Sequence, residues 1–147
     1  MMIRTAINEA SLELRNKNIK SSLLDSEILM SKVLNRKRDY IILNLEKYLK
    51  QKEFDYYRYL IDERAKGKPI AYLTGKKYFW KDEFNVNENV LIPRPDTELI
   101  IEQILKIYKN KKSIRVLEIG VGSGCVLLSV LKEKRGFIGV GIDIDKK

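Results

Sequence analysis

A carboxylate followed by three alternating glycines lies in the last third of the sequence. The residues are Glu118 and the loop Gly120-Val121-Gly122-Ser123-Gly124. Alternate glycines let backbone N–H groups approach a ligand because no Cβ obstructs them, and the helix that follows presents its positive N-terminal end to an anionic group. The pattern therefore predicts a loop that binds a nucleotide-like ligand.

An acidic residue follows the glycine loop at a sequence spacing that bears on which ligand is bound. The short apolar run 137–142 ends at Asp143, which is twenty-three positions after Gly120. An acid about 20 residues beyond the first glycine, at the tip of the next parallel strand, is placed to accept both hydroxyls of a ribose. The spacing therefore predicts an adenosine ligand.

The glycine spacing also bears on which adenosine ligand is bound. A dinucleotide fingerprint would have its third glycine at position 125, where this chain has Cys125, whereas Gly124 comes one place earlier. Glu118 would repel a pyrophosphate but could face the ammonium of a methionine group, which favours S-adenosylmethionine. The alternative is a strand-to-helix turn that uses its glycines for tight packing and binds nothing, since short glycine patterns also occur without a ligand.

Composition limits the classes of function. The chain has 147 residues, of which 44% are hydrophobic and 33% charged, with one cysteine and no histidine. An internal disulfide, an imidazole base and a His-ligated metal are therefore excluded, and no metal site is predicted. No apolar run approaches the about 18 residues of a membrane span, and the start lacks the apolar core of a signal peptide. We expect a globular cytoplasmic protein with no membrane partner.

The net charge of +9 raises the question of a nucleic-acid partner. The positive excess is spread along the chain, and its two local clusters, Arg36-Lys37-Arg38 and 109–112, fall at predicted helix ends, where cations are common. Solvated surface is the favoured interpretation. An acidic or RNA-rich partner would still be attracted at low salt, so a nucleic acid is expected to act only indirectly.

The first 66 residues show helical spacing of apolar residues. One helix is predicted near the start, a second near residues 22–34, a short third helix or turn at 40–43, and a fourth at about 50–66. Ser22 or Asp25 is expected to cap the second helix, and Gly67 with Pro69 to stop the fourth. The predicted apolar faces are Ile3, Ile7, Ala10 and Leu14; Leu23, Leu24, Ile28, Val33 and Leu34; and Phe54, Tyr57, Leu60, Ile61 and Ala65.

The pattern changes to period two between Ile70 and about Val90, which predicts a β-hairpin with its turn at 81–83. Pro93 and Pro95 then fix an extended segment, and a helix is predicted over 98–108. Strand 114–118, helix 123–134 and strand 137–142 follow. This strand-helix-strand order predicts a parallel pair of strands joined by a right-handed crossover.

Several of these segments together resemble the release factor glutamine methyltransferases (HemK/PrmC family). The most specific is the run Leu91-Ile92-Pro93-Arg94-Pro95-Asp96-Thr97-Glu98, because the glycine loop and Asp143 occur in class I methyltransferases generally. The segment 67–75 and the hairpin residues Phe79 and Phe84-Asn85-Val86 are similar to the same family. The resemblance covers essentially the whole chain.

With the order of elements, the resemblance implies an α/β fold with an N-terminal all-α domain. Residues 1–72 would form a small helical bundle that helps to hold the protein substrate, and residues 73–95 a β-hairpin linker. Residues 96–147 would form the truncated start of a Rossmann-like, S-adenosylmethionine-dependent class I methyltransferase domain.

The reaction implied is transfer of the methyl group of S-adenosylmethionine to the side-chain amide nitrogen, N(5), of the glutamine in the Gly-Gly-Gln motif of class I peptide chain release factors. Carried over by position, Glu118 would lie near the methionine end of the cofactor, Asp143 would bind the ribose, and Arg94 and Thr97 would border the site. The alternative roles of the last two are a solvent-facing arginine and a helix cap. The residues that would line the cofactor are Gly120, Val121, Gly122, Ser123 and Gly124.

One family feature is missing. An amide nitrogen is a weak nucleophile, and the family holds it in line with the methyl group by an Asn-Pro-Pro-Tyr loop. The prolines of this chain are Pro69, Pro93 and Pro95, and none lies in such a loop. We therefore assign no catalytic residue and expect a monomeric N-terminal piece of the enzyme, inactive alone. Two alternatives remain open: a non-enzymatic binding module for a release factor or ribosomal partner, and, for the full-length protein, an adenine-amino methyltransferase acting on nucleic acid.

Overall fold

The computed structural model describes residues 1–145, and the chain divides into two compact units, the first spanning Met1–Thr74 and the second beginning at Gly75. The first unit contains helices α1 (Ile3–Asn16), α2 (Ser22–Leu34), α3 (Arg38–Leu43), α4 (Gln51–Ala65) and α5 (Ile70–Thr74). The second contains strands β1 (Lys76–Phe79) and β2 (Asp82–Asn85), a 3-10 turn (Pro95–Thr97), helix α6 (Glu98–Ile107), strand β3 (Arg115–Ile119), helix α7 (Cys125–Glu133) and strand β4 (Ile138–Ile142).

The first unit is helical, as predicted, and has its own core. All four residues of the predicted α1 face are buried, and so are Tyr57, Leu60 and Ile61 of α4. The predicted end of α4 is also confirmed, since the helix ends at Ala65 and Gly67 adopts a positive φ of 99°. The regular apolar spacing in these two helices therefore identified their buried faces.

The predicted face of α2 is only partly correct, since Val33 and Leu34 are half-buried and pack against the core. Leu23 and Leu24 are exposed, and the buried residues are Ser22, Asp25, Ser26, Leu29 and Met30. Polar residues are tolerated on this face because they have partners: Asp25 Oδ2 accepts a hydrogen bond from Arg64 Nε at 2.8 Å, and Tyr57 Oη donates to the carbonyl of Ser26 at 3.1 Å. Neither Ser22 nor Asp25 caps the helix, whose N-cap is Ser21.

The segment after Pro69 is also different from the prediction. Residues Ile70–Thr74 form the short helix α5, in which Tyr72 N donates to the carbonyl of Pro69 at 3.0 Å. The period-two pattern begins only at β1. A proline just before the first helical residue favours a helical turn because its φ is already fixed near the helical value, and this signal outweighed the alternation of apolar residues.

The hairpin forms, with a tighter turn than predicted. Strands β1 and β2 pair antiparallel, with Phe79 opposite Asp82, so that Trp80 and Lys81 make the turn. Trp80 has a φ of 56°, which is rare for a residue other than glycine. Its backbone N–H donates to Glu98 Oε1 at 2.7 Å, which holds this conformation. The hairpin lies in the second unit.

The strand-helix-strand segment confirms the parallel pairing. Strands β3 and β4 run parallel, with Arg115 opposite Ile138 and Ile119 opposite Ile142, and α7 connects them. This arrangement is consistent with the start of a methyltransferase fold. The right-handed crossover and the Rossmann-like sheet remain predictions.

One face of this two-stranded sheet is packed against α7, because side chains are small there. A Cβ added at Gly139 would lie 2.6 Å from Leu127 Cδ1, so the absence of a side chain lets the helix lie close to the strand. The opposite face is open. Its exposed side chains are Leu117, Ile119, Ile138, Val140 and Ile142.

Candidate functional site

The glycine loop and Asp143 meet at the carboxyl ends of β3 and β4. Because Ile119 is paired with Ile142, the loop leaves β3 beside the end of β4. The backbone N–H groups of Gly120 and Val121 both donate to the carbonyl of Ile142, at 2.8 and 3.0 Å. The loop is thus anchored to the neighbouring strand.

All three glycines of the loop are required by the backbone. Gly120, Gly122 and Gly124 have φ values of 77°, 52° and 75°, in the left-handed region that other residues rarely adopt. A Cβ at Gly120 would meet no atom within 4 Å, so the surface at this glycine is open. The loop sequence therefore sets a backbone conformation and leaves space beside it.

Asp143 is bonded to the loop directly. Gly122 N donates to its Oδ2 at 2.6 Å, and Ile144 N donates to its Oδ1 at 2.8 Å. Hydrogen bonds from backbone N–H groups, that of Gly122 first, hold the pKa of the Asp143 carboxyl below its ordinary value. A carboxylate has about four lone-pair sites, so Asp143 keeps acceptor capacity for further hydroxyl groups.

The loop donors differ from the sequence-based expectation. The N–H groups of Gly120, Val121 and Gly122 are all engaged within the protein. What the loop offers a ligand at these positions is the open surface beside Gly120, together with the carboxylate of Asp143.

Glu118 lies half-buried at the end of β3. Its Oε2 accepts a hydrogen bond from Leu127 N in the first turn of α7, at 3.0 Å. Burial raises the pKa of the Glu118 carboxyl above its ordinary value, and the bond from Leu127 opposes that shift. A half-buried carboxylate without a cationic partner in residues 1–145 is suited to receive a positively charged group.

A cavity of about 300 Å³ lies beside the loop. One side is formed by Gly122, Ser123 and Asp143, which are three of the predicted site residues, and by Asp145. The other side is formed by the last residue of β2 and the segment that follows it. The residues that line the cavity there are Asn85, Val86, Asn87, Asn89 and Val90.

The remaining predicted site residues do not line this cavity. Arg94 is exposed, and Thr97 is half-buried in the 3-10 turn, where its N–H donates to the carbonyl of Arg94 at 3.0 Å. Thr97 is the N-cap residue of α6, as its alternative role predicted, although its side chain makes no capping hydrogen bond. Gly120, Val121, Gly124 and Glu118 belong to the loop and strand behind the cavity.

The three asparagines of the cavity wall were not predicted. The only signal in the sequence is that Asn85, Asn87 and Asn89 alternate directly after the hairpin. Side-chain amides both donate and accept hydrogen bonds, so they could recognise polar edges of a ligand. Asn87 Oδ1 already accepts a bond from Asn89 N at 3.0 Å, which shapes the turn.

A second unpredicted group holds the hairpin in place. Trp80 Nε1 donates to Glu133 Oε1 at 2.8 Å, and Lys81 Nζ lies 2.5 Å from the same oxygen. Lys132 of α7 also pairs with Asp82 of β2. The hydrogen bond from Lys81, followed by that from Trp80, holds the pKa of Glu133 below its ordinary value. These contacts attach the hairpin, and with it the asparagine segment, to α6 and α7.

No helix in residues 1–145 has the length and apolar character needed to cross a membrane. Over the same residues, no three or more His, Cys, Asp or Glu side chains converge as possible metal ligands.

Comparisons with known proteins point to one family. The family model described as the PrmC N-terminal domain matches residues 5–75. The release factor glutamine methyltransferase of Leptospira interrogans is 40% identical over 146 residues, which cover 99% of this chain and 51% of that protein. The enzyme of the same name from Buchnera aphidicola is 37% identical over 147 residues, covering 100% of this chain and 53% of that protein.

A protein with a different name also matches. The bifunctional methyltransferase of Rickettsia bellii is 33% identical over 157 residues, covering 89% of this chain and 28% of that protein. The chain spans about half the length of the release factor glutamine methyltransferases described above, and less of the bifunctional protein.

Proposed function

We propose, from the premise that this chain belongs to the HemK/PrmC family of release factor glutamine methyltransferases, that the protein containing it methylates a peptide chain release factor. The methyl donor is S-adenosylmethionine, and the acceptor is the side-chain amide nitrogen, N(5), of the glutamine in the Gly-Gly-Gln motif. The single observation that carries the proposal is the Gly120–Gly124 loop bonded to Asp143 at the ends of two parallel strands.

The residues present fit the cofactor. Asp143 retains acceptor capacity for the two ribose hydroxyls, and the surface at Gly120 is open. The half-buried Glu118 would attract the ammonium of the methionine group. Val121, Ser123 and Gly124 would complete the loop side of the cofactor site, with Arg94 and Thr97 at its border.

The cofactor supplies a methyl group on a sulfonium, which is electrophilic. The work of this chain is to bind and orient it, since holding the two reactants in line accounts for much of the rate of such a transfer. We assign no residue of this chain to the glutamine amide. The 147-residue chain alone is therefore proposed to be catalytically inactive.

We assign the domains in the same way. Residues 1–72 are proposed to hold the release factor, and residues 96–147 to provide the first part of the cofactor site. Residues 73–95 are proposed to link these two domains. The protein is proposed to act as a monomer in the cytoplasm, where release factors function.

The cofactor site is tested by Asp143→Ala in the full-length protein. Loss of an ionised acceptor for the ribose should cost about 1.5–3 kcal/mol of binding free energy, or roughly 10- to 150-fold in affinity, by calorimetric titration with S-adenosylmethionine. Asp39→Ala removes an exposed carboxylate of the helical unit, outside the proposed cofactor site, and should leave affinity unchanged. Equal affinities for both variants would show that Asp143 does not bind the ribose.

The reaction is tested by mass spectrometry of a release factor incubated with S-adenosylmethionine and either the full-length protein or the 147-residue chain. We expect a one-methyl increment on the Gly-Gly-Gln glutamine with the first and none with the second. Methylation by the short chain would contradict its proposed inactivity. A full-length protein that methylated adenine in a nucleic acid, or nothing at all, would contradict the proposed substrate.

A further inference from the structure

Two cavities in the helical unit are joined by the basic run Arg36-Lys37-Arg38. A cavity of about 580 Å³ near the α1–α2 turn is lined by residues that include Arg15, Lys20 and Arg38. A second, of about 250 Å³, is lined by residues that include Arg36, Lys47 and Lys50. Arg36 lines the second cavity and Arg38, two positions later, lines the first, so we group the cations of both cavities with Lys37 between them and call them the basic band (Arg15, Lys20, Arg36, Lys37, Arg38, Lys47 and Lys50).

Most of the charge in the basic band is not neutralised. Within residues 1–145, only Arg38 among these seven cations forms an ion pair, with Glu27 at 2.6 Å. By contrast, Arg58, Arg64 and Lys66 of the same unit all pair with carboxylates. Over the same residues, Lys17, Lys32 and Lys52 of this unit form no ion pair either, so the unpaired cations are not confined to the band. Around the two cavities, however, the unpaired cations outnumber the lining carboxylates Glu27 and Glu53, which produces a local positive potential.

Two tyrosines lie within the basic band. The Tyr40 ring is half-buried, with Arg36 Cζ 5.4 Å and Lys47 Nζ 5.2 Å from its centroid, and Lys47 Nζ also donates to Tyr40 Oη at 3.0 Å. Tyr48 lines the same cavity and is 74% exposed. An exposed ring among unpaired cations offers a flat surface on which a base can stack while the cations contact phosphates.

We propose that the basic band binds a segment of single-stranded RNA. Several unpaired cations can contact more than one phosphate, and the exposed Tyr48 ring adds a stacking surface that a site for acidic side chains alone does not need. The choice of RNA over DNA rests on the proposed function, because a release factor acts in translation. The binding itself is independent of methyl transfer and can be measured separately.

The test is fluorescence anisotropy of the 147-residue chain with a labelled oligouridine of about twelve nucleotides, within the range of single-strand site sizes. We expect binding that weakens between about 50 and 200 mM salt. The double variant Arg36→Gln, Lys47→Gln should lower affinity at least tenfold and reduce the salt slope by about 1.4, or about 0.7 per lost phosphate contact. The control Lys66→Gln, Lys106→Gln removes the same charge outside the band and should have little effect.

Tyr48 separates RNA from an acidic protein as the ligand. Tyr48→Ala should weaken RNA binding about tenfold, as expected for loss of one stacked base. Tyr48→Phe, and Tyr59→Ala outside the band, should keep the affinity. No binding at low salt would overturn the proposal. So would a DNA oligonucleotide that binds as tightly as RNA, or a polyglutamate peptide that competes equally well while Tyr48→Ala has no effect. Methylation by the full-length protein is a separate measurement, so a failure here leaves the proposed function standing.

Discussion

The two units of the chain bury their apolar residues to different degrees. In the helical unit, α1, α2 and α4 pack their apolar faces around one core, in which Leu14, Leu29 and Ile61 are fully buried. In the second unit, only one face of the β3–β4 sheet is covered, by α7, and Ile119 on the other face is 77% exposed. The second unit has a core of its own, but within residues 1–145 one apolar face of its β3–β4 sheet is exposed.

The difference follows from the kind of element each unit uses. A helix buries one stripe, which two or three neighbours can cover. A parallel strand has side chains on both faces, and parallel sheets are normally covered by helices on both. Alternation along β3 shows this directly, since Val116 and Glu118 are half-buried and Leu117 and Ile119 are exposed. The proposed cofactor site is therefore built on the part of the chain with the smaller core.

The largest expected effect concerns the helical core. Leu29→Ala removes a fully buried side chain and should lower the free energy of unfolding by about 3 kcal/mol, through lost burial and the cavity left behind. Leu24→Ala on the same helix, where the side chain is 44% exposed, should change it by less than about 0.5 kcal/mol. Urea denaturation followed by circular dichroism measures both. Similar costs for the two variants would contradict the corrected orientation of α2.

The contrast between Leu29 and Leu24 also shows which buried helix faces could be predicted from the sequence. In α1 and α4 the apolar residues recur regularly, and the buried faces follow from spacing alone. In α2 the core side is shared by serines and Asp25, whose burial depends on Arg64 and Tyr57 from another helix. Such long-range partners leave no local signal, so the apolar spacing wrongly placed Leu23 and Leu24 on the buried face, although it placed Val33 and Leu34 correctly.

The candidate site divides in the same way. The glycine loop and Asp143 could be predicted because a tight strand-to-helix turn needs glycines, and because chain length fixes where the next strand ends. The three asparagines that line the cavity could not be predicted. They lie beside the loop because the hydrogen bonds of Trp80 to Glu98 and Glu133 hold the hairpin in place. Periodicity placed Trp80 in a strand, whereas its tertiary hydrogen bonds hold it at a positive φ.

The second unit can be weakened selectively at Gly136. A Cβ at this position would lie 2.1 Å from the carbonyl oxygen of Lys112, so the backbone would have to move. We expect Gly136→Ala to cost about 2 kcal/mol, as for overpacking, and hydrogen exchange to quicken in β3 and β4 rather than in α1 and α4. Arg135→Ala at the adjacent exposed position should leave exchange unchanged. Faster exchange throughout the chain would mean that the two units unfold together.

A smaller effect is expected from the contacts of the hairpin turn. Trp80→Phe keeps an aromatic ring but removes the Nε1 donor to Glu133, which should cost about 1 kcal/mol. A double-mutant cycle with Glu133→Ala, which removes the acceptor, measured by thermal unfolding, isolates the interaction of the pair. A coupling energy near zero would show that Lys81 alone holds Glu133 and that the asparagine segment does not depend on the tryptophan.

The smallest effects, and the most specific to the proposed site, are the titrations of Asp143 and Glu118. Bonds from backbone N–H groups lower the pKa of Asp143, so they stabilise the loop above the ordinary aspartate pKa, and this contribution is lost as the pH falls through the lower, folded value. Burial raises the pKa of Glu118, so ionising it costs stability, and that cost develops as the pH rises through its higher, folded value. Carboxyl carbon NMR can follow both groups in the 147-residue chain and in the full-length protein.

If Glu118 faces the ammonium of the methionine group, saturating S-adenosylmethionine should lower the pKa of Glu118 towards or below its ordinary value in the full-length protein, because a nearby cation favours the carboxylate. A Glu118 pKa that does not move while the cofactor binds would show that this carboxylate serves only to cap α7 through Leu127.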